Sequence, residues 1–89
     1  MTMNIEQDYR AIIQERLTQA FSPSQLDVID ESDLHRGHAG HEAGGRHFSI
    51  VIKAVCFENI SRVAAHRQIY ALFNDLMPHP LHALKIKLI

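Results

Sequence analysis

The chain has 89 residues, with nine Lys/Arg against ten Asp/Glu, seven histidines and one cysteine, for a formal charge of -1. That length suits one domain with one core, 1–89, and the near-neutral balance argues against strong nonspecific phosphate binding. A lone Cys56 excludes an intramolecular disulfide and fits a reducing, cytoplasmic setting, and no run approaches the ~20 apolar residues of a membrane span.

In chain order, residues 4–20 read as a helix. Ile5, Tyr9, Ile12, Ile13 and Leu17 recur at helical spacing, and Asn4 with Gln7 resembles a capping box. Pro23 in the stretch SPS stops it. QLDVID at 25–30 alternates as a short strand. Residues 32–45 are a His/Gly-rich segment. From His35 to His47 the chain holds four of its seven histidines and all four glycines, with no hydrophobe larger than alanine. A connection of that length is long for a hairpin loop, and long loops are usually functional or disordered.

RHFSIVIKAV at 46–55 is the clearest strand. Phe48, Ile50, Ile52 and Ala54 form an apolar face, while His47, Ser49, Val51 and Lys53 form the other, which is half polar and expected to be exposed. A short helical turn is expected near 58–61. Ser61 then caps a second long helix over 62–77, with Val63, Ile69, Tyr70, Leu72, Phe73, Leu76 and Met77 on its apolar side and the prolines of PHP at 78–80 ending it. The last strand covers 81–89. Leu84, Ile86 and Leu88 face one way, Lys85 and Lys87 the other, and His82 shares the apolar parity at the strand's start. The reading is an α+β fold: a three-stranded sheet with helices packed on one face.

Together, the strand VIDES, the His/Gly segment, the strand start RHFSIVI, the helix segment AHRQIY and the final PLHALKIK resemble the BolA family. No piece is very specific alone, but their order and spacing span nearly the whole chain. The resemblance implies an αββααβ fold related to the type II KH arrangement. It implies an adaptor in iron–sulfur cluster assembly and iron homeostasis, binding a monothiol glutaredoxin and sharing a bridging [2Fe-2S] cluster completed by the partner's cysteine and glutathione. No cofactor is then expected on the isolated chain. In such proteins one ligand is a histidine at the start of the last strand, which carries over to His82. The second ligand, His or Cys, comes from the loop between the first two strands. It carries over to His38, whose step to His47 matches members with the His-type loop, with His35 and His41 as the neighbouring alternatives. The sequence departs from the family in having Asn59 where a glycine is usual, and Ala65-His66-Arg67 where Arg-His-Arg is common.

The chemistry is consistent with a shared site. Neutral imidazole suits iron, but two imidazoles hold a cluster poorly without partner thiolates. The bland alternatives are a solvated tract for His35, His38 and His41, and a backbone-bonded strand-end residue for His82. His47 is read as structural, His66 as a helix-packing or surface residue, His79 as a turn residue and Cys56 as a small buried hydrophobe.

A second class of function is DNA binding in a transcriptional regulator, through Arg62, Arg67, Lys85 and Lys87, although the GXXG loop of KH domains is absent. A third is a metal-storing or metal-sensing loop without a protein partner. No Ser/His/Asp or Cys/His arrangement and no phosphate-cradling glycine motif is readable, so the chain is not read as an enzyme. Whether the apo protein forms a homodimer is left open by the sequence.

Overall fold

The computed structural model describes residues 8–31 and 46–89. Helix α1 (Tyr9–Phe21) opens on Asp8, whose carboxylate accepts the Ala11 N–H at 3.1 Å. Asp8 is therefore the cap of the described helix, a position aspartate serves well; Asn4, Ile5 and Gln7 of the expected capping box and stripe lie outside the described residues. The helix closes at Ser22, which takes a left-handed φ of 46° and returns its N–H to the Thr18 carbonyl. Pro23 follows at once and blocks continuation.

Strand β1 (Gln25–Asp30) pairs antiparallel with β2 (Arg46–Lys53), Val28 opposite Ile50. The chain then makes a short 3-10 turn (Val55–Phe57), crosses over through α2 (Arg62–Ala71) and enters β3 (Leu81–Leu88), which lies parallel to β2. The sheet order is β1-β2-β3. Among the described residues this is an α+β fold of two helices on a three-stranded sheet.

Register explains the layering. Val28, Phe48, Ile50, Ile52 and Leu84 share one face of the sheet and are buried in one cluster with Ile13 and Leu17 of α1 and Ala65 and Ile69 of α2. The opposite face carries Asp27, Ile29, Ser49, Val51, Lys53, Lys85 and Lys87, with Ile29 exposed. A sheet covered on one side reads as alternation, which is what the strands show.

Three local features differ from the sequence reading. The short turn comes earlier than 58–61, because Phe57 is drawn into the core directly after β2 and packs its ring 4.8 Å from Phe21. Helix α2 keeps its Ser61 cap, with Oγ accepting from Ala64 N at 3.0 Å, but ends at Ala71 and not near Met77. The Leu72 carbonyl is taken at 2.8 Å by Arg16 Nη1 from α1, and the backbone tightens into i→i+3 bonds such as Leu76 N to Phe73 O. Val63, placed on the apolar side by its spacing, is 60% exposed; the buried line is Ala65, Ile69 and Phe73, four residues apart.

Candidate functional site: the sheet end around His82

Three stretches of chain meet at one end of the sheet. Strand β1 leaves it at Glu31, whose N–H bonds the His47 carbonyl at 2.8 Å. Strand β2 begins there at Arg46, whose N–H bonds the Pro80 carbonyl at 2.9 Å. Strand β3 begins beside it at Leu81, whose N–H reaches back to the Leu76 carbonyl at 2.9 Å. The residues that flank 32–45 therefore stand at the same sheet end as His82, Arg46 one strand spacing from β3 and Glu31 two.

The start of β3 carries a register shift. Arg46 pairs with Leu81 and the next residue, His47, pairs with Ala83, so His82 is an extra residue opposite no partner. This bulge reverses the parity read from the sequence. Leu81 takes the inward position and is fully buried, while His82 is turned out to solvent. Bulges of this kind re-aim a side chain and recur beside functional sites.

Against the exposed ring of His82 lies a second imidazole. The His47 and His82 ring centroids are 5.2 Å apart with planes at 61°, an edge-to-face contact. His47 was expected on an exposed face; it is 8% exposed. Its strand face is open over most of the sheet, but at this end the first residues of β3 lie against it. Single-strand alternation could not reveal this, because the covering comes from a residue 35 positions later in the chain.

Charged side chains tie the surrounding strands together. Arg46 Nη2 stands 3.6 Å from Asp30 Oδ2 with its guanidinium 5.9 Å from the Tyr9 ring, and Lys85 Nζ stands 3.5 Å from Glu31 Oε1. These pairs link β1 to β2 and β1 to β3 at the end where His82 projects. They are partly exposed, so their contribution is positional more than energetic.

His35, His38 and His41 lie outside the described residues. Among the described residues no group of three or more His, Cys, Asp or Glu side chains is placed to hold a metal ion. This sheet end presents one exposed imidazole, His82, in edge contact with a buried one, His47. Cys56 is exposed and was expected to be buried; its sulfur sits 4.0 Å from the Phe21 carbonyl. It follows the far end of β2, about 20–25 Å from Arg46 at a strand's rise of roughly 3.3 Å per residue, too far to share a centre with His82. His79 is exposed in the turn before β3, and His66 is half-buried on α2 beside Arg62, Lys87 and the end of β3.

The four cationic residues considered for nucleic acid do not converge. Arg62 and Arg67 are five positions apart on α2, about 140° around the helix. Lys85 is engaged with Glu31, and Lys87 lines a cleft with Arg62. No helix among the described residues is long and apolar enough to cross a membrane.

Comparison with known proteins agrees with this architecture. The profile of the BolA family, described as BolA-like protein, matches residues 17–89. The chain is 37% identical over 86 residues to the DNA-binding transcriptional regulator BolA of Haemophilus influenzae, covering 97% of this chain and 77% of the relative. It superposes on the BolA domain of SufE1 from Arabidopsis thaliana with a TM-score of 0.79 at 35% identity, covering 93% and 92% of the two chains. BolA1 from Arabidopsis thaliana gives 0.76 at 32% identity, with 96% and 93% covered. With its helix–sheet order, its registers and these matches in agreement, the chain belongs to the BolA family.

Proposed function

We propose that this chain is a BolA-type adaptor that binds a monothiol glutaredoxin and contributes imidazole ligands to a [2Fe-2S] cluster shared between the two proteins. The observation that carries the proposal is the bulge at His82. It sets an exposed imidazole at the sheet end from which the segment bearing His35, His38 and His41 departs.

The donor set fits such a group. His82 faces outward, where a partner can approach, and one protein ring there leaves most coordination positions to the other molecule. The cluster supplies electron-transfer and transfer-competent iron chemistry when bound, and histidine in place of thiolate raises its potential. The chain's own contribution is to present and orient. The buried His47 ring lies edge-on against the His82 ring, and the Asp30–Arg46 and Glu31–Lys85 pairs bridge the neighbouring strands. Ligation requires the neutral, metal-binding form of each imidazole. His38 is the preferred second ligand, with His35 and His41 as alternatives.

The test is to mix the protein with cluster-loaded monothiol glutaredoxin and glutathione, following visible circular dichroism and size-exclusion elution. A heterodimer with an altered cluster spectrum is expected, with His82→Ala changing the spectrum more than His41→Ala. An unchanged spectrum with no heterodimer sinks the proposal.

A second reading, DNA binding, draws support from the name of the Haemophilus influenzae relative. A gel-shift titration across salt concentrations addresses it. A steep loss of affinity with salt is the signature of genuine phosphate contacts, and binding confined to very low salt would speak against it.

A further inference from the structure

Away from the His82 end, β3 has a free side. It is the outermost strand, with β2 on one side and no strand beyond it among the described residues. Ile89 N–H bonds the Ile52 carbonyl of β2, so past the bulge the odd-numbered residues of β3 direct their backbone groups inward to the sheet. The even-numbered ones direct theirs outward. The Leu84 carbonyl shows this, since it accepts the Tyr70 hydroxyl of α2 at 2.6 Å. That contact covers the edge at Leu84. Past it, Ile86 and Leu88 present their N–H and C=O groups with no such cover among the described residues.

Alongside that stretch runs a cleft of about 300 Å³ between α2 and β3, lined by Arg62, His66, Ile86, Lys87 and Leu88. None of the five is acidic, and neither Arg62 nor Lys87 has an ion-pair partner among the described residues. The cleft thus combines unpaired strand backbone, two half-buried aliphatic side chains and unneutralised positive charge.

We propose that the outer edge of β3 at Ile86–Leu88, with the adjoining cleft, accepts an extended acidic peptide strand from a partner protein. Strand addition satisfies the outward backbone groups, Ile86 and Leu88 receive alternate apolar side chains, and Arg62 and Lys87 meet carboxylates. The same charges select the occupant. A second copy of β3 would bring lysine against lysine, which disfavours self-pairing, as lysines on edge strands commonly do. The site lies at the opposite end of β3 from His82, so occupation of one does not block the other.

The experiment uses the whole chain labelled with 15N and, as probe, a short N-acetylated, C-amidated peptide alternating valine and glutamate. Saturable shifts are expected at Ile86, Leu88 and Arg62, with exchange of the Ile86 and Leu88 amides slowed about tenfold at saturation. The double variant R62E/K87E, which alters exposed side chains and should keep the native spectrum, should weaken the acidic peptide by about tenfold or more and admit its valine–lysine counterpart. N-methylation of alternate peptide nitrogens should abolish binding. The proposal is overturned by absence of shifts at millimolar acidic peptide, by equal binding of both peptides to the wild type, by shifts confined to the His82 end, or by concentration-dependent self-pairing at Ile86 and Leu88 without peptide.

Discussion

The bulge at the start of β3 makes a sharp prediction, because it exchanges the environments of two adjacent residues. Simple alternation puts His82 inside with Leu84, Ile86 and Leu88, and Leu81 outside. The structure has Leu81 fully buried and His82 exposed. Leu81→Ala should then remove a completely desolvated side chain and leave a void in the core cluster. Substitutions of that kind cost about 2–5 kcal/mol, and about 3 kcal/mol is expected here. His82→Ala removes an exposed side chain whose described contact is the edge of one ring, and should cost less than about 0.5 kcal/mol. For a domain of this size each kcal/mol moves the midpoint by roughly 4–8 °C, so Leu81→Ala should melt about 12–24 °C lower and His82→Ala within about 4 °C of wild type. Thermal and urea unfolding followed by far-UV circular dichroism measure both. Equal losses for the two variants, or a larger loss for His82→Ala, would refute the register.

Further consequences concern the contacts that fix α2. Tyr70→Phe removes the hydroxyl bound to the Leu84 carbonyl and should lower stability by about 0.5–1.5 kcal/mol in urea unfolding, with faster hydrogen exchange near Leu84. The Arg16 guanidinium forks Asp75 at 2.8 and 3.0 Å, and that hydrogen-bonded contact holds the Asp75 carboxyl below its ordinary range. Since the folded value is the lower one, the stabilisation is complete above the unfolded carboxylate pKa of about 3.9 and disappears as pH falls through the folded value. Asp75→Asn should therefore be slightly less stable than wild type at neutral pH, the pair being exposed, and the gap should close in strong acid; a gap independent of pH would contradict the pairing.

Much of this architecture is legible in single residues. The parity of Phe48, Ile50 and Ile52 names the buried face of β2, and Ser61 announces α2. What escapes the sequence depends on partners far along the chain. The end of α2 is decided by Arg16, 56 residues before the Leu72 carbonyl it captures. The contact of His47 with His82 joins residues 35 positions apart, and the exposure of His82 needs a count of two residues on β3 against one step of β2. Periodicity within one segment carries no information about such counts. The resemblance to the BolA family singles out His82, which parity alone places inside, and the bulge is the physical reason that ring is exposed. The placement of Arg62 beside Lys87, and the pairing of Lys85 with Glu31, likewise emerge from packing across elements.

The central claim is that His82 reaches iron from this chain. Pulsed electron paramagnetic resonance on the reduced mixed complex tests it most directly, with 15N-histidine in this chain and an unlabelled glutaredoxin. The account predicts strong 15N couplings from this chain, reduced by one nitrogen in His82→Ala and unchanged in His79→Ala. A reduced cluster with no 15N coupling, or with couplings indifferent to His82→Ala, would contradict it.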